Sequence, residues 1–242
     1  MGKTGSGFDV QLPRSLRAER HDDVAVLFLA RPQKRNAIDD PTVFGIEAFF
    51  AAVPDGVRAV VLAGEGDHFC SGLDLSELSA RDAAQGVAHS RSWHRAFEHI
   101  EFGKVPVVAV LHGAVVGGGG SVRLPRLIGT SRMMDMMLTG RSYDAEGGQA
   151  IGISHYLVAP GEGLAKGIEL AKRIAGNAPM TNFAVTQVLP RIAESDPATG
   201  YVTEALIAAI AQADGEAKSR LKAFLEKRAP KVVHKKTVRN KT

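Results

Sequence analysis

Two stretches of the chain place glycine directly after a run of apolar residues. They are Phe69-Cys-Ser-Gly-Leu-Asp74 and His112-Gly-Ala-Val-Val-Gly-Gly-Gly119. Glycine lets a backbone approach a ligand closely, and exposed N–H groups at the start of a following helix can hold negative charge. If the two stretches face each other, they supply a pair of N–H donors, an oxyanion hole for a carbonyl that becomes an enolate or a tetrahedral anion. The alternative is two tight turns without catalytic meaning, and spacing alone leaves both interpretations open.

Other catalytic motifs are not supported by the spacing of the residues. Gly2-Lys-Thr4 lacks the upstream glycine of a phosphate-binding loop. The glycine run at 117–120 is not followed by an acidic residue at the end of the next strand, where a dinucleotide site requires one. His94 and His99 are five residues apart on a predicted helix, roughly 140° around its axis, so they cannot bind one metal ion together. Ser71 lacks the Gly-x-Ser-x-Gly context of a hydrolase nucleophile. These patterns favour neither a metal site nor a serine nucleophile.

Composition indicates a globular protein. The 242 residues are 45% hydrophobic and 23% charged, which is enough for one large core or two modest ones. No apolar run approaches the roughly 20 residues that a membrane helix needs, and the stretch Met1-Gly-Lys-Thr-Gly-Ser-Gly7 lacks the apolar region of a signal peptide. A single cysteine, Cys70, excludes an internal disulfide and fits a reducing compartment. We therefore expect a cytoplasmic protein without a membrane partner.

The net charge of +4 is concentrated at the C-terminus. Residues 231–242 contain five basic residues and no acidic one, so the rest of the chain has a net charge of −1. A solvated basic tail is favoured over nucleic-acid binding, because no aromatic residues alternate with these lysines to stack on bases. Binding of nucleic acid through the tail predicts a steep dependence on salt that disappears when residues 231–242 are removed.

Strands and helices alternate in the first part of the predicted fold. Apolar runs predict strands at Val24–Leu29, 57–63, 105–110 and near 155–158. Residues 1–20 are expected to form a loosely ordered, flexible N-terminus. Asp40 is predicted to cap a helix that begins at Pro41, and a second, amphipathic helix is predicted over 82–101.

The later part of the chain is predicted to be helical. Helices are expected at 131–138, near 145–151, and throughout the chain from Gly163, with breaks near Pro179 and Pro197 and a last long helix over 201–227. These patterns predict an α/β core at 21–176, a helical region at 177–230 and a basic tail at 231–242.

Five ordered motifs resemble the crotonase, or enoyl-CoA hydratase/isomerase, superfamily. Besides the first glycine stretch, they are the segment from Val105 to Gly119, which contains the second, and Lys34-Arg-Asn-Ala-Ile-Asp39, Leu138-Thr-Gly-Arg141 and Phe224-Leu-Glu-Lys-Arg228. The match extends from about Ala18 to Pro230. The resemblance implies a spiral of ββα turns with a C-terminal helical region used for trimer contacts. It also implies an acyl-CoA thioester as substrate, a homotrimer or a dimer of trimers, and no metal or redox cofactor.

The resemblance also implies roles for individual residues. The oxyanion hole corresponds to the backbone N–H groups of Leu73 and Gly118. The loop around Lys34, Arg35 and Ala37 would lie against the adenine and phosphates of CoA, where positive charge is useful. Further positions implied to bind substrate are Ser71, Asp74, Leu75 and, from a neighbouring subunit, Lys227. A solvated turn is the alternative for the two basic residues of the loop.

The chain departs from the family after its first glycine run. Typical members have a helix, a strand and a loop before a second glycine-rich turn, whereas Gly119-Gly-Ser-Val-Arg-Leu-Pro-Arg-Leu-Ile-Gly129 matches that second turn directly. The intervening segment, near 119–121, is not in the sequence. Three explanations compete: a shortened variant, a written sequence that skips a segment of a longer protein, or a misplaced match. The flanking motifs favour the first two.

The missing segment is the one from which hydratases of this family take two glutamates, which act as general base and acid on water. The first position falls on Ser121, which cannot do this work unaided, and the second has no counterpart. The nearest acidic residues, Glu77, Glu101 and Glu146, are each expected to be exposed charges.

The resemblance predicts hydration of a 2-enoyl-CoA as the function. The residues that act as acid and base in that reaction are unassigned. The alternatives are isomerisation, thioester hydrolysis or carbon–carbon cleavage on the same scaffold, and a non-catalytic acyl-CoA-binding or scaffold protein.

Overall fold

The computed structural model describes residues 8–77, 81–116 and 120–226. The chain divides into two compact units, the first extending to Asn177 and the second beginning at Ala178. The first unit contains the strands and both glycine stretches, and the second is helical.

The first unit is built on a four-stranded sheet in the order β1-β2-β3-β4. The strands are β1 (Leu16–His21), β2 (Val24–Leu29), β3 (Ala59–Gly64) and β4 (Val107–Ala109). The β1 strand pairs antiparallel with β2, while β2, β3 and β4 are parallel. Every residue of β2 is buried, because both faces of the sheet are covered. The three strands predicted between residues 24 and 110 are confirmed, although β4 is shorter than expected.

Helices cover the two faces of the sheet. On one face, helices α1 (Asp40–Ala51) and α2 (Ala83–Glu101) pack over the strands, and Phe49 and Trp93 are buried there. On the other face, helix α6 (Gly163–Ala175) places Ala171 against the strands. The small alanine lets the helix approach the sheet closely, and the layers hold the ends of the strands, where both glycine stretches begin, in fixed positions.

The remaining described helices are divided between the two units. In the first unit these are α3 (Gly120–Ile128), α4 (Thr130–Thr139) and α5 (Ala145–Ala150). The second unit contains α7 (Pro179–Phe183), a π-helical segment (Ala184–Val188), α8 (Leu189–Glu194), α9 (Pro197–Ala213) and α10 (Gly215–Leu225). The helices predicted near 82–101, 131–138 and 145–151 are confirmed, as are the breaks before Pro179 and Pro197.

Two predictions at the start of the chain are wrong. The expectation that residues 1–20 are loosely ordered fails for Leu16–Arg20, which belong to β1 and pair with β2. Asp40 does not cap α1: the cap is Asp39, whose Oδ1 accepts a hydrogen bond from the N–H of Thr42 at 2.9 Å. The cap moves one residue back because Asp40 already lies in the first helical turn.

Two predictions in the later part of the chain are also wrong. Residues 155–158 form no strand, since the sheet ends at β4 and no described strand lies beside them. The long helix predicted over 201–227 is interrupted at Asp214, where the backbone is extended. The Asp214 side chain accepts a hydrogen bond from the N–H of Ala217 at 3.0 Å and so starts α10 as a cap.

Across the described ranges, every helix is too short or too polar to cross a membrane.

Candidate functional site

A buried asparagine fixes the loop that carries the predicted CoA-binding residues. Asn36 is 1% exposed and has a left-handed backbone with φ of 55°. Its side-chain amide donates to the backbone oxygens of Glu65 and His68 at 2.9 and 2.6 Å, and its side-chain oxygen accepts from the N–H of Arg31 at 2.8 Å. The loop after β2 is thereby held against the loop after β3.

The same loop pairs with the first glycine stretch. The N–H of Ile38 donates to the carbonyl of Gly72 at 2.9 Å, and the N–H of Asp74 donates to the carbonyl of Ile38 at 2.8 Å. Ile38 and Leu73 therefore form a parallel bridge. Nearby, the N–H of Ser71 donates to the carbonyl of Arg35 at 3.0 Å. The backbone of residues 71–74 is thus fixed on this side.

The second glycine stretch pairs with the first on its other side. The N–H of Cys70 donates to the carbonyl of Ala114 at 3.0 Å, and the N–H of Val116 donates to the carbonyl of Cys70 at 2.8 Å. The two glycine stretches therefore run side by side up to Val116, as the prediction of facing loops requires. Gly118 lies outside the described residues, so the predicted pair of amides stays a prediction.

Glycine is required at two positions in this arrangement. Gly72 has φ of 90°, and a Cβ placed on it would lie 3.0 Å from a methyl carbon of Val116. Gly113 has φ of 55°, and its Cβ would lie 2.0 Å from the carbonyl oxygen of Asp67. Both residues combine a left-handed backbone with close contact to another segment, which only glycine tolerates.

The amide of Leu73 is directed away from the loop at Ile38. In a parallel bridge of this kind, the hydrogen bonds use the backbone groups of one residue and of its partner's two neighbours. Here they use Ile38, Gly72 and Asp74, which leaves the N–H of Leu73 on the opposite side of the chain. Within the described ranges this N–H has no hydrogen-bond partner.

A buried carboxylate neutralises the positive charge of the loop. Asp74 accepts hydrogen bonds at its Oδ2 from Arg31 at 2.7 Å and from Lys34 at 2.9 Å. Its Oδ1 accepts from the hydroxyl of Ser76 at 2.7 Å. The hydrogen bond from Ser76 and then that from Lys34 hold the pKa of Asp74 well below its usual range. Asp74 thus acts as an anchor for the loop and not as an acid or base at neutral pH.

The lowered pKa of Asp74 gives the stability of the protein a defined pH dependence. Its contribution is fully present above the ordinary aspartate pKa of about 4, and it is lost as the pH falls toward the lower folded value. We expect Asp74→Asn to reduce stability at pH 7 and to flatten the fall in unfolding free energy between about pH 4 and pH 2. Urea unfolding at several pH values measures this slope. The control is Asp9→Asn, at an exposed carboxylate, and an unchanged slope in Asp74→Asn contradicts the role of the anchor.

The structure brings most of the predicted site residues together. The predicted residues on these adjacent loops are Lys34, Arg35, Ala37, Ser71, Leu73, Asp74 and Leu75. Arg35 and Leu75 are exposed, whereas Ala37 is buried. The side chain of Ala37 is therefore not accessible to a ligand. Lys34 is engaged by Asp74, so a phosphate must compete with that carboxylate for its ammonium group. The predicted contribution of Lys227 lies outside the described residues.

Sequence reasoning missed the residues that hold the site in place. Arg31, two residues after the end of β2, donates to the carbonyl of Ala37 at 2.9 Å and also pairs with Asp39 and Asp74. The ring nitrogen Nδ1 of His68 accepts from the N–H of Ala114 at 3.0 Å, which ties the two glycine stretches together. No sequence pattern indicates these contacts. Some join residues more than 40 positions apart, and the others depend on the conformation of one loop.

The described residues that the resemblance or the sequence singles out for the two glutamate positions lie at the surface. Ser121 is exposed in the first turn of α3. Glu101 forms an ion pair with Arg123 at 2.7 Å, and Glu146 is exposed in the first turn of α5. The side chain of Glu77 lies outside the described residues. The described acidic residues singled out by sequence are thus surface charges, as expected.

A second cluster joins the start of α1 to α2. The Oδ1 of Asp40 lies 2.6 Å from Nε1 of Trp93, which donates to it, and 2.6 Å from Nε2 of His89. Burial raises the pKa of Asp40, but the hydrogen bonds from His89 and Trp93 outweigh this effect and lower the pKa overall.

In the described part of the chain, no three His, Cys, Asp or Glu side chains are grouped to hold a metal ion.

Comparison with known families assigns the chain to a recognisable group. The enoyl-CoA hydratase/isomerase family model matches in two parts, residues 19–124 and 119–235. The division falls where the sequence analysis places the missing segment. A relative from Thermus thermophilus, provisionally named an enoyl-CoA hydratase, is 30% identical, with 86% of this chain and 96% of the relative aligned. That alignment is 244 positions long, yet it includes only 86% of the 242 residues of this chain. The difference consists of gaps in this chain, so the relative has residues where this chain has none.

Solved structures resemble the chain as well. A crystal structure from Rhodopseudomonas palustris, also provisionally named an enoyl-CoA hydratase, is 45% identical and has a TM-score of 0.84. The matched region covers 88% of this chain and 95% of the chain in that crystal structure. A protein from Thermobifida fusca crystallised with acetoacetyl-CoA shares the fold at 22% identity and a TM-score of 0.74, covering 81% of this chain and 94% of that one. The crotonase fold predicted from the motifs is confirmed.

Proposed function

Because the chain belongs to the enoyl-CoA hydratase/isomerase family, we propose that it binds a 2-enoyl-CoA thioester and stabilises the thioester enolate with backbone amides. The donors are the N–H groups of Leu73 and Gly118. The observation that carries the proposal is the amide of Leu73, which is fixed on one side by Ile38 and has no hydrogen-bond partner within the described ranges. A preorganised donor of this kind stabilises charge that develops in the transition state.

The CoA part of the ligand would bind beside the loop of residues 31–37. Arg35 is exposed at its surface with a left-handed backbone, and the nearby Lys34 ammonium is shared with Asp74. Guanidinium and ammonium groups at this position suit the CoA phosphates, and Lys227 of a neighbouring subunit would add positive charge. Ser71 and Leu75 border the same loops and would contact the pantetheine chain.

Hydration is expected to be slow in this protein. The reaction needs a base to activate water and an acid to protonate the enolate carbon, and Ser121 replaces the first of the family's two glutamates. General acid and base catalysis contributes about 10²- to 10⁴-fold to such rates, so a site that relies on the oxyanion hole should lose activity of that order. Isomerisation, thioester hydrolysis and carbon–carbon cleavage share the same oxyanion hole and are tested with their own substrates.

A second candidate is an acyl-CoA-binding protein without turnover. It is supported by the positions of Glu101, in an ion pair with Arg123, and Glu146, exposed on α5. Among the described residues, neither side chain is paired with the other in a way that would hold a catalytic water between them. A family member that keeps its CoA loop but lacks an acid and a base would bind the thioester and leave it unchanged.

Titration with crotonyl-CoA separates these functions. We expect the absorbance of the conjugated thioester to fall slowly in the presence of the protein, while calorimetry shows binding of CoA. Binding without any change in absorbance supports the second candidate, and the absence of both contradicts both candidates. The intact mass of the purified chain is measured first, because it shows whether a segment is present between Gly117 and Ser121.

We expect the protein to act as a homotrimer or a dimer of trimers. The second unit exposes large apolar side chains along α9 and α10, including Leu206, Ile210 and Phe224. Exposed apolar patches of this kind mark protein contacts. They support an oligomer in which this helical unit makes the subunit contacts.

A further inference from the structure

The sheet of the first unit ends at an open edge. The β4 strand is last in the strand order, and only β3 pairs with it among the described residues. The N–H of Val60 donates to the carbonyl of Pro106 and the N–H of Val110 donates to the carbonyl of Leu62, both at 2.9 Å. Since backbone groups alternate in direction along a strand, those of Val107 and Ala109 face away from β3. Within the described ranges they have no hydrogen-bond partner.

The same pattern continues along the chain. At the bridge between Cys70 and Val115, the hydrogen bonds use Cys70 together with Ala114 and Val116. The N–H and C=O of Val115 therefore face away from the first glycine stretch. The side chains of Val115 and Val116 are 45% and 54% exposed. The segment from Pro106 to Val116 thus offers unpaired backbone groups and apolar surface together.

The two edges of the sheet differ in how they are protected. The other edge strand, β1, carries charged side chains at Arg17, Glu19 and Arg20, which discourage the addition of another strand. The segment Pro106-Val-Val-Ala-Val-Leu111 contains no charged residue and is rich in β-branched side chains. A strand with these properties and a free edge pairs readily with another strand.

We propose that the β4 edge binds the β4 edge of a second copy of this chain. A two-fold axis through Val108 makes the paired strands antiparallel and places Val107 of one copy opposite Ala109 of the other. Every outward N–H and C=O of these two residues then gains a partner, because residues paired in this way exchange both hydrogen bonds. Ala109 is exposed, and its small side chain leaves room for the partner strand.

A second copy fits this edge better than an unrelated peptide does. Peptides that add to a sheet edge gain specificity from pockets for alternate side chains. Here the exposed side chain beside the free groups is alanine, and the edge is complementary to itself under two-fold symmetry. The contact is independent of the thioester site, because none of the proposed ligand-binding residues belongs to β4.

Hydrogen exchange tests the proposal on the unmodified full chain. The amides of Val107 and Ala109 are expected to exchange about tenfold more slowly at a high protein concentration, where the assembly forms, than after dilution below its dissociation constant. The amide of Val110, bonded to Leu62 inside the sheet, should be protected at both concentrations. Equal exchange of Val107 and Ala109 at both concentrations, with the assembly present, overturns the proposal and places the contact on another face.

A variant of the edge provides the second measurement. Ala109→Pro removes an N–H that faces away from β3 and keeps the pairing with β3, because proline is tolerated at such edge positions. We expect sedimentation to show that the largest assembly has half the mass of the wild-type assembly, while Ala109→Ser leaves it unchanged. An unchanged mass in folded Ala109→Pro overturns the proposal, as does a wild-type chain that stays monomeric. If Ala109→Pro does not fold, Ala109→Lys replaces it, with the same expected outcome.

Discussion

Gly113→Ala is expected to lower the free energy of unfolding by more than about 3 kcal/mol and to abolish ligand binding. The new methyl group would lie 2.0 Å from the carbonyl oxygen of Asp67 and 2.6 Å from Nδ1 of His68. The first of these atoms belongs to the backbone and cannot rotate away. The left-handed φ of 55° adds strain for any residue with a Cβ. The second glycine stretch would have to leave its place beside the first.

Urea unfolding of the variant and of a matched glycine variant measures this effect. Gly86 lies within helix α2, and a Cβ placed on it meets nothing within 4 Å. Gly86→Ala should therefore stabilise the protein by about 0.5–1 kcal/mol, because alanine is the better helix former. The two changes add the same methyl group and are expected to act in opposite directions. A Gly113→Ala protein as stable as the wild type would show that the two stretches are not packed together in solution.

Removal of the Leu73 amide hydrogen is expected to weaken binding of an enolate by about 10²- to 10³-fold. Incorporation of the α-hydroxy acid of leucine at position 73 replaces the N–H with an ester oxygen and keeps the side chain. Within the described residues the N–H makes no hydrogen bond, so the cost to the fold is confined to the Gly72 carbonyl, which becomes a weaker ester acceptor for the N–H of Ile38. Acetoacetyl-CoA is the probe, because its enolate carries negative charge on the thioester oxygen and its binding does not require turnover.

The control for this experiment is Leu73→Ala, which keeps the N–H and shortens the side chain. Calorimetry should give it an affinity for acetoacetyl-CoA within a few-fold of the wild type. Thermal unfolding of both proteins confirms that they remain folded. If the ester protein binds the probe as tightly as Leu73→Ala does, the amide of Leu73 is not an oxyanion donor, and the proposed function loses its main support.

The sequence was sufficient to predict features that depend on short-range patterns. The apolar run of β2 predicts a buried strand, and the glycine stretches predict turns that bring backbone close to backbone, as at Gly72. The sequence does not determine the cap of α1, since Asp39 and Asp40 are adjacent and either can cap a helix in isolation. The choice of Asp39 depends on where Thr42 lies, which only the folded chain determines.

Features that depend on distant contacts were not predicted. The β1 strand has a polar sequence, and its pairing with β2 determines its conformation more than its composition does. No sequence pattern reveals the roles of Asn36 and His68. Asparagine does adopt a left-handed backbone more readily than most residue types other than glycine, as Asn36 does here. The role of Asp74 as an anchor also depends on Arg31 and Lys34, which approach it only in the folded protein.

Three backbone segments far apart in the sequence lie side by side at the candidate site: residues 35–38, 69–74 and 112–116. No one of them can keep its shape alone, because each is held by main-chain bonds to the next. These three described segments should therefore be gained or lost in one step with the sheet that carries them. We therefore expect access to the proposed ligand surface to change through assembly or through the surrounding helices, and not through separation of these three segments.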